Sequence, residues 1–493
     1  MITLIPPLDR YTRVVTFSQT ATGRVALIAV FAAGLMMHER NWWPEVSVIL
    51  LLMSFLPDYR RQLLLAGTLY WLWQFTPFNW SLIMSLARNE GVAGNINNFL
   101  GWPLYQGLVV ASVLLFCAAF YAAAVRWRNT APMNRPLRTL LISYVGLMAV
   151  ATWFPLGPSM EVTLWAFLVV LGRYIWFLAY SLSDIPSNAR SPFLLQLGHY
   201  HPFWMGSTPT PVPFPKGAAY LRKIEAKDSS ELAVTQLKAI KLLYWAMLLV
   251  IVQAVCVGLI YTGTIRIWDW SFAMPYFMDA LRFNEALSSS VAGSPAAWYL
   301  NWLALAARFT MDLLNMAIWG HVMIAVCRMA GFRALRNTYK PLRSATIAEF
   351  WNRYYYYFKE LLVEFFFYPT FMRYFKRMPR FRLVFATMAA AGFGNVLYHF
   401  LRDSSYIARL GLWEALLSFK VYLLYGALLG LAIGISQLRN RNRRTDRDSL
   451  RTRTLAPLSV LTFYCVLSIF DDPDRSLPAI EYFRFALHLI PGM

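Results

Sequence analysis

The polar side chains best suited to chemistry in this sequence lie near the end of an apolar segment. His399 has Asn395 four residues before it and Asp403 four residues after it. Residues four apart share one face of a helix, so the Asp403 carboxylate is placed to orient the imidazole. An imidazole held in this way can act as a general base toward a hydroxyl group. A histidine in a membrane helix can equally be a hydrogen-bonding group between packed helices, and the spacing leaves both roles open.

A second group of ionisable residues lies in an aromatic segment, residues 346–370, that comes shortly before His399. Glu360 and Glu364 share a helical face, with Lys359 beside them and Arg353 two turns earlier. Ionisable side chains are expensive inside a membrane, which makes them candidates for a functional site. Pairing with Arg353 or Lys359 would instead make the two carboxylates part of a buried salt-bridge network that fixes the fold.

The elements that must position these residues are membrane helices. The chain has 493 residues, of which 58% are hydrophobic and 14% charged, and its mean hydropathy is +0.44. Such a composition is far from that of a soluble domain. The apolar runs predict an all-α, polytopic integral membrane protein with about eleven to thirteen transmembrane helices. We expect residues 1–493 to form a single membrane domain.

The net charge of +21 is explained by topology better than by a nucleic-acid partner. The basic residues are concentrated in loops between apolar runs, such as residues 333–343 and 373–382. This distribution is typical of cytoplasmic loops under the positive-inside rule, and it favours contact with anionic membrane lipids. Nucleic acid is therefore not an expected partner.

Residues 346–370 lie between these two basic loops, and that position predicts an unusual path. A segment that crosses the membrane once cannot have both of its flanks in the cytoplasm. We therefore expect it to be re-entrant, or to lie in the interface, with a broken backbone that is buried in protein or lines a cavity. Residues 346–403 become the predicted active-site core.

The longest segment outside the apolar runs, residues 183–238, is predicted to be a cytoplasmic loop. It has a proline-rich part at 207–215 and a charged stretch, 223–238, that suggests an amphipathic helix along the membrane interface. Its His199 and His201 have no third ligand nearby in sequence, so no metal site is expected. His321, in the middle of an apolar run, is a second candidate for a polar contact within the membrane.

One resemblance joins the two polar groups. Phe350-Trp351-x-Arg353-Tyr354, the later Tyr368-Pro369, a basic connector and an apolar helix with His399 resemble the membrane-bound O-acyltransferase (MBOAT) family over roughly 80 to 100 residues. That family has a pattern like Phe-Trp-Arg-Arg-Trp-His, then an aromatic run ending in Tyr-Ile-Pro. Tyr355 occupies the position of the family's histidine or asparagine. His399, 44 residues further on, corresponds to its presumed catalytic base.

The resemblance implies an activity. It is closest to the bacterial branch that includes alginate acetylation and teichoic-acid D-alanylation proteins. The chain is therefore expected to be an acyltransferase of a bacterial inner membrane that moves an acetyl or other short acyl group onto a hydroxyl of a glycan, polymer or lipid. The donor would be acyl-CoA or an acylated carrier that approaches from the cytoplasm, with no bound cofactor. His399 would be the base and Tyr355 its partner, supported by Asn395, Asp403 and the ionisable residues of 346–370. An extracytoplasmic accessory protein is a further expected partner.

Two other readings stay open. The change to Tyr355 is also compatible with a catalytically inactive relative that binds lipid or a partner. A transporter or a lipid-linked glycosyltransferase is the third possibility. A transporter is expected to contain inverted repeats, and the sequence shows none. A glycosyltransferase requires acidic residues in an outward loop, for which Glu39 and Glu45 are the early candidates.

Overall fold

Long apolar helices make up most of the protein. A computed structural model describes residues 7–38, 42–75, 78, 80–185, 192–206, 212–440, 454–471 and 477–492. The protein is 78% helical with almost no sheet, which confirms the predicted all-α class. Eight of the described helical segments are long and apolar enough to cross a membrane. The chain is accordingly an all-α, multi-pass membrane protein.

The first half of the chain contains helices α1 to α12. Their bounds are α1 Thr12–Gln19, α2 Ala21–His38, α3 Trp43–Phe55, α4 Arg60–Phe75, α5 Ser81–Asn89, α6 Ala93–Phe99, α7 Trp102–Arg126, α8 Pro136–Trp153, α9 Pro158–Ser183, α10 Phe193–Gln196, α11 Ala218–Ile224 and α12 Ser229–Val257. A hairpin follows, formed by β1 Thr264–Ile267 and β2 Trp270–Ala273, which pair antiparallel.

The second half contains helices α13 to α24. Their bounds are α13 Phe283–Val291, α14 Trp298–Met329, α15 Ile347–Tyr354, α16 Tyr356–Leu362, α17 Tyr368–Arg373, α18 Pro379–Thr387, α19 Asn395–Arg402, α20 Ser404–Leu410, α21 Leu412–Ser418, α22 Lys420–Asn440, α23 Ala456–Leu467 and α24 Ala479–Leu487. Wide π-helical turns at Gly258–Thr262, Val363–Phe367 and Met388–Gly394 join or extend several of them.

Among the described residues, fewer helices meet the length and hydropathy of a membrane span than the eleven to thirteen predicted. Besides the eight long segments, Trp43–Phe55 and Ala456–Phe470 are shorter apolar helices. The last apolar run, 478–490, forms only the nine-residue α24. A helix needs about 20 residues to cross a bilayer comfortably, so the count of eleven to thirteen, which needs these shorter segments to span, stays a prediction.

Helix α9 lies at the centre of the largest hydrophobic core. Apart from Arg173 it is apolar on every side, and most of its residues from Val162 to Leu182 are buried. A helix that is hydrophobic all round is expected in such a central position. Its Trp176 stacks on Tyr398 of α19, with ring centroids 6.3 Å apart. The central helix therefore supports the segment that carries His399.

The segment 346–370 is broken, as expected from its flanking loops. Helices α15 and α16 have eight and seven residues and are separated at Tyr355, and a π-helical turn follows at Val363–Phe367. Neither helix is long enough to cross a bilayer. That the segment is re-entrant in a membrane stays a prediction, but the broken backbone that a re-entrant path requires is present.

The helix predicted over 223–238 is wrong in its bounds. Helix α11 ends at Ile224, and α12 begins at Ser229 and continues for 29 residues. Asp228 caps α12 because its side chain accepts a hydrogen bond from the Glu231 backbone amide at 2.8 Å. Residues 229–238 are thus the first turns of a long apolar helix rather than a separate amphipathic one. The cytoplasmic position of 183–238 stays a prediction.

The end of the proline-rich stretch is part of the core. Residues 207–211 lie outside the described residues, but Val212 and Phe214 are buried. The Phe214 ring stacks on Tyr355 with centroids 6.1 Å apart, and the Phe214 carbonyl accepts a hydrogen bond from Trp204 Nε1 at 2.8 Å. This stretch therefore packs against the broken segment, which a simple spacer would not do.

Candidate functional site

His399 lies in the last turns of α19, directly after a π-helical turn. That turn, Met388–Gly394, passes close to α22: a Cβ on Gly430 would lie 3.1 Å from the Gly392 amide nitrogen. The half-buried imidazole packs against Tyr422 of α22, with ring centroids 4.7 Å apart, and edge-on to Phe358 at 6.1 Å. Aromatic rings thus fix the direction of the imidazole from two sides.

Tyr355 lies at the break between α15 and α16, where its backbone leaves the helical conformation, with φ −137° and ψ 77°. A break inside the protein leaves backbone groups that need new partners. The loop after α14 supplies them. The Tyr356 amide donates to the Asn337 carbonyl at 3.0 Å, and Thr338 Oγ1 donates to the Tyr354 carbonyl at 2.8 Å. The break is therefore a built feature of the fold and not a frayed helix end.

A cavity of about 530 Å³ joins the two residues. Both His399 and Tyr355 line it, although they are 44 positions apart in the sequence. Its volume lies within the range of roughly 300–1,000 Å³ that is usual for small-molecule sites. The other lining residues come mainly from α14, α15, α22 and the end of α23: Arg308, Phe309, Asp312, Asn315, Met316, Trp319, Met323, Phe350, Trp351, Tyr354, Arg402, Tyr422, Tyr425, Tyr464, Leu467, Ser468 and Asp471.

The two polar neighbours predicted for His399 have different surroundings. Asn395 is buried, and its Oδ1 accepts a hydrogen bond from the Tyr422 hydroxyl at 3.5 Å. Helix α19 ends at Arg402, so Asp403 follows the helix instead of continuing it. The Asp403 carboxylate receives a two-pronged ion pair from the Arg402 guanidinium, at 2.6 Å from Nε and 2.9 Å from Nη2. That Asp403 orients the imidazole stays a prediction.

The ionisable residues of α15 and α16 lie elsewhere. Arg353 pairs with Glu349 one turn before it, at 2.5 Å. Glu360 contacts Lys359 and also Lys216, whose ammonium nitrogen lies 2.8 Å from Glu360 Oε2. Glu364 is 3.5 Å from the same ammonium group. These three predicted supporting residues thus belong to ion pairs and do not line the cavity that Tyr355 and His399 share.

Besides Arg402, which pairs with Asp403, three charged residues of the cavity wall were not singled out from the sequence. Arg308 and Asp312 lie on α14, and Asp471 follows α23. A signal for the first two was present, because charged residues inside the apolar run 300–329 are costly unless they have a function. Asp471 had no such signal, since its run of acidic residues is also what an outward loop would have.

The remaining histidines of interest have local roles. His321 Nδ1 contacts the Ala317 carbonyl one turn earlier in α14, at 2.5 Å. Burial, together with the nearby Arg61 and Arg222, lowers the pKa of His199 to about 3. Burial lowers the pKa of His201 to about 4, although its Nε2 contacts the Gly206 carbonyl at 3.1 Å. In the part of the chain that the structure describes, no three His, Cys, Asp or Glu residues are grouped as metal ligands.

No protein-family model matches the chain, and a search of curated proteins gives no significant match.

Proposed function

We propose that the protein is a membrane O-acyltransferase, with His399 as the general base and Tyr355 beside it in the same cavity. The observation that supports this most is the shared cavity itself. A base needs a reacting group within hydrogen-bond reach, and the cavity offers space for one next to the imidazole. The resemblance of 346–403 to the MBOAT family gives the reaction type.

The proton transfers of this reaction need only the His399 imidazole. The acceptor oxygen forms a bond to the thioester carbonyl carbon while its proton passes to the His399 imidazole. The tetrahedral intermediate then collapses, the carbon–sulfur bond breaks, and the imidazolium returns the proton to the leaving thiolate. The products are an ester and a free thiol, and the imidazole is regenerated. No other co-reactant is needed.

We place the two substrates of this reaction by the two ends of α14. Arg308 and Asp312 lie in the first half of α14, after the loop predicted to face outward. The basic loop 333–343 follows the other end of α14, roughly 25 Å beyond Asp312 at 1.5 Å per residue. In this proposal the anionic thioester donor comes from the basic side, and the acceptor enters from the side of Arg308.

Replacement of His399 tests the proposal. The protein is reconstituted in vesicles and supplied with acetyl-CoA, and release of free thiol is measured. His399→Ala is expected to lower the rate of thiol release by at least roughly hundredfold, the usual contribution of a general base. His321→Gln is the matched control, because His321 is also a histidine of an apolar helix but contacts its own helix backbone. Thiol release by His399→Ala at the wild-type rate would refute the role of the imidazole.

A binding protein without activity is the second candidate. Tyr355 is only 7% exposed, and its ring also packs against Phe358 at 5.3 Å, so packing explains this residue as well as chemistry does. Under this alternative, wild-type protein would bind lipid or a partner and would neither bind the thioester nor release thiol. The same vesicle assay with a binding measurement therefore separates the two functions.

A further inference from the structure

The guanidinium of Arg402 is held along one edge and open at the other. Its Nε and Nη2 donate to the two carboxylate oxygens of Asp403, at 2.6 and 2.9 Å. A two-pronged pair of this kind fixes the plane of a guanidinium as well as its position. The group has further N–H donors at Nη1, and among the described residues no group accepts a hydrogen bond from them. The open edge of a fixed cation is therefore available to a ligand.

Arg402 lies beside the candidate base, in the same cavity. It follows His399 by three residues on α19, so the two side chains share a face of that helix. Both line the cavity of about 530 Å³, together with Tyr355. Asp403, which holds the other edge of the guanidinium, does not line it. The cation of this ion pair, and not the carboxylate, therefore borders the space next to the imidazole.

Acyl transfer needs a hydrogen-bond donor of this kind. Attack on a thioester places negative charge on the carbonyl oxygen, and donors that are fixed beforehand stabilise this charge most. Of the described residues that line the cavity, only Arg308 and Arg402 are arginine or lysine, and Arg308 lies on α14 with Asp312 Oδ2 3.8 Å from its Nε. The Tyr422 hydroxyl, on the ring next to the imidazole, donates to Asn395 Oδ1. Arg402 is thus the charged donor on the helix that carries the base.

We propose that Arg402 is a catalytic residue, whose Nη1 donates to the thioester carbonyl oxygen, and that Asp403 positions it. This assignment rests on the proposed acyltransferase function and adds the group that stabilises the developing charge. As the acceptor oxygen bonds to the carbonyl carbon, the π electrons move to the carbonyl oxygen, and the guanidinium hydrogen-bonds to that oxyanion. The double bond then re-forms, the carbon–sulfur bond breaks, and the thiolate takes the proton from the His399 imidazolium. The guanidinium stays protonated throughout.

An ion pair that only stabilises the fold is the alternative, and a double variant separates the two roles. Arg402→Gln leaves the Asp403 carboxylate without its cation, and an unpaired charge of this kind destabilises a protein. Arg402→Gln combined with Asp403→Asn removes both charges, and a neutral pair is often as stable as the ion pair that it replaces. If Arg402 only neutralises Asp403, the double variant regains activity. If Nη1 stabilises the oxyanion, the double variant stays as slow as Arg402→Gln, although its thermal stability recovers.

The measurement is thiol release from acetyl-CoA by the protein in vesicles, over a range of acetyl-CoA concentrations, with thermal unfolding in detergent alongside. Arg402→Gln and the double variant are expected to lower kcat roughly hundredfold, the lower end of the cost of losing one oxyanion donor. The KM for acetyl-CoA is expected to stay within about threefold, because the carbonyl oxygen carries little charge before attack. Arg409→Gln, which removes an exposed arginine of α20 outside the cavity, is the matched control and is expected to stay within about twofold.

A conservative variant keeps the test valid if the neutral ones fold poorly. Arg402→Lys retains the charge opposite Asp403, but a compact ammonium lacks the second edge of a guanidinium. We expect its kcat to fall roughly tenfold, the loss of one hydrogen bond, with thermal stability unchanged. The role of Arg402 is overturned if Arg402→Lys or Arg402→Gln keeps the wild-type kcat, or if the double variant regains it. Thiol release that still depends on His399 would show in those cases that the acyltransferase proposal survives, whereas a wild type that releases no thiol would refute both.

Discussion

Two polar regions share residues 346–403 but arrange their charges differently. Around Lys216, two glutamates of the segment meet one lysine from a distant loop, so that the charged groups pair with one another. Around the cavity, His399, Tyr355 and Arg308 surround open space, and Arg308 keeps a buried nitrogen that no described residue satisfies. Paired charges stabilise a fold, whereas groups that face a cavity are available for a ligand. The comparison favours a structural role for the first region and agrees with the proposal that the second binds a substrate.

The largest expected effect comes from moving the cavity wall without touching its polar groups. In Gly430→Leu, the new Cβ would lie 3.1 Å from the Gly392 amide nitrogen and 3.2 Å from Met388 Cα, and backbone atoms cannot easily yield. We expect acyl transfer to fall roughly hundredfold, because a shift of about 1 Å can cost that much. Gly146→Leu is the control, since a Cβ there meets nothing within 4 Å. Equal activity of both variants would mean that the α22 contact does not position His399.

The paired region is tested by removing its shared cation. Lys216→Met leaves Glu360 with Lys359 and takes the only described ion-pair partner from Glu364. We expect a loss of about 1–3 kcal/mol in the free energy of unfolding, less than for a fully buried pair because Glu364 is partly exposed. Lys238→Met, whose partner Asp9 is 3.9 Å away on a more exposed surface, is expected to change little. Thermal unfolding in detergent measures both. If Lys216→Met kept its stability but lost activity, the contrast between the two regions would be wrong.

A pair of neighbouring tyrosines sharpens the same contrast. Tyr355 lines the cavity, whereas the Tyr356 ring lies 4.7 Å from the Lys359 ammonium nitrogen in the paired region. Tyr355→Phe is expected to lower the transfer rate roughly tenfold, through loss of one hydrogen bond worth about 1.4 kcal/mol. Tyr356→Phe is expected to stay within about twofold, since the cation–π contact does not need the hydroxyl. A larger effect from Tyr356→Phe than from Tyr355→Phe would mean that the functional site lies at the ion pairs around Lys216 and not at the cavity.

The smallest expected effect is a loss of stability in acid, and it concerns a buried histidine, His201, that does not line the cavity. The pKa of His201 is about 4 in the folded protein and about 6.5 when unfolded, so below pH 6.5 the unfolded chain binds the proton more readily. The contribution of His201 to the free energy of unfolding is therefore fully present above pH 6.5 and is lost as the pH falls toward 4. At pH 5.5 the loss is about 1 kcal/mol. Thermal unfolding at pH 7.5 and 5.5 measures it. His201→Asn, which tolerates the left-handed backbone at φ 69°, should lose less stability between the two values than the wild type.

The sequence indicated the helical membrane class and the break in 346–370 because both follow from composition and charge along the chain. It also singled out His399 and Tyr355, which the structure places in one cavity; their catalytic roles stay predictions. The partner of Glu360 and Glu364 could not be foreseen, since Lys216 lies more than 140 positions earlier. The i,i+4 spacing of His399 and Asp403 is present in the backbone, where the Asp403 amide donates to the His399 carbonyl at 2.9 Å, but it did not indicate the ion pair of Asp403 with Arg402.

The π-helical turn before Asn395 has a consequence for how this chain tolerates length changes. A π-helical turn holds one more residue than an α-helical turn, so it offsets the following face by about 100°. Loss of a single alanine from 389–391 would allow the regular helix to close, and the imidazole would then rotate out of the cavity wall and toward the neighbouring helices or the lipid. A one-residue deletion in this apolar stretch should therefore be as damaging as replacement of the histidine itself, although no polar group is removed.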